Sequence, residues 1–249
     1  MFKKFNFVLV CLLMFSGYSR GATLVQKKTC ATNGVTSLAC AFTSTPQAHS
    51  TLYYSFEINN TSVNLTGNDN VNTVVNLGCP NKSAGNSNQQ NCHMVVYDAV
   101  ASPTTFTATD GGTSTNYIIY IYEFAGLPNS SAALGLNGFF DGNGTAMTIN
   151  GTGGITTASS QLIVFSFFDQ AGSTCATPAG VSGFTVADAT PTFSRTVYSL
   201  SSAAGTYNPS CSTATGIWVS NYITFNLTVP VVGSQHGGPH TMGGPRKIF

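Results

Sequence analysis

Two stretches of the chain are apolar on both faces of an extended strand. Residues 116–127 read NYIIYIYEFAGL. Ile118, Tyr120, Tyr122 and Phe124 share one face, and Ile119, Ile121 and Glu123 share the other. Residues 161–168, QLIVFSFF, repeat the feature. Side chains alternate across a strand, so a run apolar on both faces predicts a strand covered on both sides. Two other stretches alternate instead. In residues 52–58, LYYSFEI, the positions Leu52, Tyr54, Phe56 and Ile58 face Tyr53, Ser55 and Glu57 across the strand. In residues 218–229, Val219, Ile223, Phe225 and Leu227 point one way, and Ser220, Tyr222, Thr224 and Asn226 the other. Alternation of this kind predicts strands half-buried on a core and half facing solvent.

Turn chemistry separates these runs. Asn33-Gly34 is a strong hairpin dipeptide and predicts that residues 38–42 return beside a first strand. Residues 71–77, 94–97, 104–109, 134–140, 145–149 and 193–200 read as further short strands. Asp110-Gly111-Gly112, Asp141-Gly142-Asn143-Gly144 and residues 150–154 read as turns. Residues 80–91 contain nothing that could build a core and read as a surface loop, and residues 169–192 read mostly as loop. No helical periodicity runs beyond a turn or two. Short strands between Gly, Asn and Pro turns predict an all-β protein: an antiparallel two-sheet β-sandwich, jelly-roll-like, in one domain over residues 22–230. Residues 231–249 are rich in Gly, Pro and His without periodicity and read as a disordered tail.

The N-terminus changes the picture by assigning a compartment. Lys3 and Lys4 precede a mostly apolar run at residues 5–15, and Ser19 and Gly21 are small at the positions a signal peptidase reads. Residues 1–21 therefore read as a signal peptide, and the chain as secreted or held at the cell surface. The run is shorter than the roughly 20 apolar residues of a membrane span, so no membrane association is expected once the leader is removed. Its removal takes away Lys3, Lys4 and Arg20 and no acid, which leaves a slightly acidic chain in which charge is scarce, 7% of residues before cleavage. Phosphate neutralisation needs a basic surface, so nucleic acid is excluded as a partner.

Export gives the cysteines a meaning. Beyond Cys11 in the leader there are six: Cys30, Cys40, Cys79, Cys92, Cys175 and Cys211. An even number in an exported chain points to disulfides, and six permit 15 connectivities. Sequential pairing, Cys30–Cys40, Cys79–Cys92 and Cys175–Cys211, closes loops worth about 3, 3 and 4 kcal/mol in the chain-entropy account. Zinc has little to hold it. There is no C-x-x-C, and only His93 adjoins a cysteine.

Candidate chemistry is sparse. Glycosidases act through two carboxyl groups flanking the scissile bond, and the chain has two glutamates, Glu57 and Glu123. Glu57 shares a strand face with Tyr53, and Tyr222 lies on the polar face of the last strand. Tyr53, Glu57 and Tyr222 are thus the candidates for stacking on and bonding to a ligand. Trp218 reads as core. Outside the tail the histidines are His49 and His93, and no G-x-S-x-G elbow accompanies them. Residues 141–145 place oxygen ligands at alternate positions as a calcium loop begins, yet lack its sixth-position glycine and twelfth-position acid. Asn68-Asp69-Asn70 is similarly oxygen-rich, and both segments read better as turns. The tail residues His236 and His240 read as incidental. Asn64, Asn143 and Asn226 open glycosylation sequons. No cofactor is implied.

Residues 117–127, an apolar strand closing in Glu-Phe-Ala-Gly-Leu, resemble the strand ending Glu-Tyr-Ser-Gly-Leu of a group of uncharacterised bacterial secreted and phage-associated β-sandwich proteins. Residues 156–165, TTASSQLIVF, resemble the Thr/Ser-rich turn and strand that follow it there, and residues 216–226 that group's closing strand. The resemblance implies an extracellular or surface β-sandwich and no catalytic residues. The expected function is accordingly a non-enzymatic structural, adhesive or interaction role at a cell or virion surface, with a glycan or a surface protein as partner. The alternatives are a lectin-like carbohydrate-binding module and, third, a glycoside hydrolase using Glu57 and Glu123.

Overall fold

The computed structural model describes residues 21–227 apart from 61–64, 80, 85–86, 115, 150, 152, 170–178, 181 and 189–193. Residues 1–20, within the expected signal peptide, residues 228–249, with the expected tail, and Cys175 lie outside the described residues. The chain is all-β and antiparallel throughout. Its first half contributes β1 (Thr23–Thr32), β2 (Val35–Ala41), β3 (Thr51–Asn60), β4 (Thr66–Asp69), β5 (Val75–Gly78), β6 (Asn81–Ala84), β7 (Ser87–Val96), β8 (Thr105–Ser114) and β9 (Asn116–Ala125). A linker holding one 3-10 turn, Ser131–Ala133, leads to β10 (Leu134–Thr148), β11 (Ile155–Thr157), β12 (Gln161–Asp169), β13 (Thr185–Asp188), β14 (Ser194–Ser202), β15 (Gly205–Tyr207) and β16 (Ser210–Asn226).

Two large sheets form the centre, one from each half. The first runs β1-β9-β3-β7-β5, with β6 also paired to β7, and the second runs β10-β16-β12-β14-β13. Their facing sides share one core that includes Tyr53, Tyr122, Phe124, Val164, Phe168, Ile223 and Phe225. The outer side of each is covered in turn. A three-stranded sheet, β2-β8-β4, lies over the first, where Phe106 stacks on Tyr54 at 4.2 Å and meets Phe56. A two-stranded sheet, β11-β15, lies over the second, with Ile155, Phe165, Phe167 and Trp218 between. The predicted sandwich is therefore the middle of a four-layer stack. This explains why residues 116–127 and 161–168 are apolar on both faces: they became β9 and β12, each an inner strand of a sheet buried on both sides.

Several local expectations change. The turn at Asn33-Gly34 is present, with Gly34 at φ +70°, but β1 and β2 are not partners. β1 pairs with β9 and β2 with β8, so the chain crosses from one sheet to the next. The Cys30–Cys40 disulfide consequently ties two layers rather than two strands of a hairpin. Cys79–Cys92 links the residue after β5 to β7 at the edge of the first sheet, and the expected surface loop between them contains β6 paired to the first part of β7. Cys211 is also disulfide-bonded. Residues 141–144 are not a turn. They run inside β10, paired to β16, because Gly142 leaves room for the Trp218 ring, which a Cβ there would approach to 2.4 Å. Asp110-Gly111-Gly112 likewise stays within β8.

Replacing Cys30 and Cys40 together with alanine removes the tie between the layers. The expected cost is about 3 kcal/mol of unfolding free energy, measured by denaturant titration.

Candidate functional site

The polar residues that alternation assigns to solvent are inside the stack. On β3 the residues Tyr53, Ser55 and Glu57 face the second sheet, and all three are fully buried. β7 brings Asn91 and His93 to the same face, and β14 and β16 bring Ser194, Thr196 and Asn221 from across the seam. The result is a polar corner at one end of an otherwise apolar interface.

Its bonds form two short chains. Ser55 Oγ donates to Asn91 Oδ1 at 3.4 Å, and Asn91 Nδ2 donates to Glu57 Oε1 at 3.1 Å. Glu57 Oε2 makes no hydrogen bond of good geometry. Separately, the Tyr53 hydroxyl lies 3.0 Å from the His93 ring nitrogens, while the His93 ring meets Phe139 of β10 edge-on at 5.6 Å. Ser166 and Thr196 bond to each other at 2.8 Å on the same seam.

Burial sets the charge of this corner. Loss of hydration pushes the Glu57 carboxyl up to about 8 from 4.5. Nearby Asp169 adds to the rise, and Ser194 and Asn91 oppose it. Loss of hydration pulls His93 down to about 3 from 6.5, against the influence of Asn221. Burial also raises the Tyr53 hydroxyl well above its usual range. At neutral pH Glu57 is protonated and His93 is neutral. The corner holds polar groups without net charge from either residue.

Glu123 occupies a different place. Glu57 falls on the face of the first sheet that meets the second half, among Tyr53, Ile118 and Tyr122. Glu123 pairs with Leu52 and falls on the opposite face, toward the three-stranded sheet. The sheet itself separates the two carboxyls, so they cannot flank one glycosidic bond. Glu123 is instead spent on structure: Oε1 accepts from the Gln47 backbone N–H at 2.7 Å and Oε2 from Gln26 Nε2 at 2.6 Å. It holds the loop between β2 and β3 against β1. Glu123→Ala takes the acceptor from the part-buried Gln47 N–H and from the Gln26 amide. The expected loss is about 2 kcal/mol in denaturant unfolding, with Glu123→Gln losing less because its amide oxygen can still accept.

The remaining candidates also separate. Tyr222 is half-buried on the outer face of β16, stacked on Phe140 at 6.1 Å with its ring lying over Gly138. Tyr53 and Tyr222 therefore do not share a surface. Trp218 is buried core. His49 is exposed before β3 and bonds to Asp98 at 2.8 Å, so it does not join His93. Asp69 is consumed by its own turn, accepting from the Val71 and Asn72 backbones and from the Tyr54 hydroxyl. Asp141, Asn143 and Thr145 lie along a strand and cannot wrap a cation as a loop does. The Asn226 amide is occupied by Gln161, Ala132 and Leu134, and Asn64 lies outside the described residues. Among the described residues no group of three or more His, Cys, Asp or Glu is placed to hold a metal ion, and no helix is long and apolar enough to cross a membrane.

Alternation within a single strand does not reveal the polar corner, because the corner is assembled from several strands. The signal was present in Ser55, Glu57, Asn91 and His93, polar positions inside strands whose neighbours are core. No known protein family, curated protein or solved structure matches the chain.

Proposed function

We propose that this chain is an exported, non-enzymatic β-sandwich protein with a structural, adhesive or interaction role at a cell or virion surface. The observation that carries the reading is the fate of its two glutamates: each is fully buried, they lie on opposite faces of one sheet, and Glu123 is bonded to a backbone amide. A chain this poor in charge that commits both its glutamates to the interior is suited to contact rather than catalysis. Two disulfides, Cys30–Cys40 between layers and Cys79–Cys92 within one sheet, fit an oxidising compartment, as the leader-like N-terminus does. The resemblance to secreted and phage-associated sandwich proteins points the same way.

The lectin-like alternative has one observation in its favour. Tyr222 and Phe140 are stacked, half-buried and on an outer face, and an aromatic pair of this kind can receive a sugar ring. Purified protein on a glycan array, beside light scattering at increasing concentration, separates the two readings. Self-association with no glycan binding supports the structural role. Glycan binding that is lost in Tyr222→Ala replaces it with the lectin reading.

A further inference from the structure

The two halves of the chain have the same topology. In the first half the large sheet runs β1-β9-β3-β7-β5, and in the second β10-β16-β12-β14-β13. Written in chain order within each half, these are one arrangement: the first strand at an edge, the last strand beside it, then the same three in the same sequence. The small sheets correspond as well. The strand after the first pairs with the strand before the last, β2 with β8 and β11 with β15. β4 and β6 are additions of the first half.

Register carries the likeness further than topology. Leu24 pairs with Phe124, then a bulge follows, then Lys27 pairs with Tyr122. Leu134 pairs with Phe225, then a bulge follows, then Asn137 pairs with Ile223. A second bulge recurs in the edge strands. It lies between Asn76 and Gly78 against Met94 and His93, and between Val186 and Asp188 against Val197 and Thr196. In the small sheets Ala41–Thr105 and Cys40–Phe106 correspond to Thr156–Thr206 and Ile155–Tyr207. Thr105, Phe106 and Phe124 thus recur as Thr206, Tyr207 and Phe225 at one constant spacing. A bulge inserts a single unpaired residue at a defined place, so two bulges at matching registers are not a consequence of shared strand order.

The packing of the halves is also reciprocal. Lys27 of β1 donates to the Ala187 carbonyl of β13, so the first strand of half one lies over the last-placed strand of half two. Phe139 of β10 lies over Gly78 of β5, where a Cβ would come within 2.6 Å of its ring. The strand order is therefore reversed between the facing sheets. The equivalent central strands run the same way, since Tyr53 near the start of β3 meets Phe225, the partner of Leu162 near the start of β12. Reversed order with preserved direction is what a two-fold rotation about an axis parallel to the strands produces.

We infer that the chain is a fused dimer: residues 23–125 and 134–226 are two copies of one folding unit, related by a two-fold rotation and joined by residues 126–133. The seam between the large sheets is then an isologous interface of the kind two identical chains make, and the partner that each half fits is a second copy of its own fold. The polar corner marks where the copies differ. By register Glu57 corresponds to Phe168, Tyr53 to Val164 and Tyr120 to Asn221.

The test opens the linker of the full chain. Ser130 and Ser131 are exposed, and a protease site inserted between them allows cleavage after folding. The cut protein is expected to remain one folded species, with a melting temperature that rises with protein concentration while that of the uncut protein does not. Fragments separated in denaturant are expected to regain that species when mixed. Fragments that stay unfolded on mixing, or a cut protein whose melting is independent of concentration, overturn the inference. An experimental structure of the unaltered chain decides independently of any variant. A rotation close to 180° should superpose the two halves with both bulges in register, and misplaced bulges contradict the duplication.

Discussion

Stability should reach a plateau between about pH 4.5 and 6.5 and fall on both sides of it. The folded chain keeps a proton on Glu57, held up to about 8, that the unfolded chain releases from 4.5 upward. Stability from this group is complete below 4.5 and is lost as pH rises to 8. His93 acts in the opposite sense. The unfolded chain takes up a proton from 6.5 downward that the folded chain refuses until about 3, so stability is lost as pH falls through that window. Between 4.5 and 6.5 the two slopes cancel. From 6.5 to 8 Glu57 acts alone, and stability falls by about 1.4 kcal/mol per pH unit for one proton. Denaturant unfolding across this range measures the slope. Glu57→Gln cannot ionise and should abolish the alkaline decline while leaving the acid one. An alkaline decline that persists in Glu57→Gln would show that Glu57 is not its source.

Tyr53→Ala should be among the most damaging single substitutions, at about 3–5 kcal/mol. The ring is fully buried in the seam, 5.6 Å from Tyr122, edge-on to Phe225 at 6.4 Å and edge-on to His93 at 5.2 Å. Truncation removes contacts to both sheets and leaves a cavity where the halves meet. Tyr53→Phe keeps the packing but takes the hydroxyl from His93, at an expected cost of about 1–3 kcal/mol for the buried nitrogen left behind. Tyr222→Ala, on the half-buried outer face, should cost less than Tyr53→Ala. If Tyr53 were a surface residue awaiting a ligand, Tyr53→Ala would leave the unfolding midpoint unchanged.

The strands themselves were legible where period and turn chemistry agreed. The expected strands at residues 52–58, 116–127, 161–168 and 218–229 correspond to β3, β9 up to Ala125, β12 and the part of β16 up to Asn226, and double-sided apolarity named the strands covered on both faces. Two kinds of information were not legible. Alternation says that two faces differ, not what lies beyond each of them. Alternation therefore assigns the Ser55-Glu57 face to solvent, whereas it meets another sheet. Glycine was also ambiguous. In Asp141-Gly142-Asn143-Gly144 it suggested a turn, whereas Gly142 gives the Trp218 ring space across a strand pair. Cys30–Cys40 and Cys79–Cys92 were found by sequential order, although the first joins layers and not hairpin strands. The carboxylate pair failed for a topological reason: strand parity puts Glu57 and Glu123 on opposite faces of one sheet, which is visible only once β3 and β9 are known to be partners.

The polar corner is sealed interior and not an open site. Histidine modification by diethyl pyrocarbonate, mapped by peptide mass at neutral pH, tests it most directly. His49 has a side chain 74% exposed and His93 is fully buried. His49 should react readily, and His93 should stay protected in the folded protein and react only after denaturation. Modification of His93 at a rate comparable to that of His49 in the folded chain would mean that the corner is open to solvent.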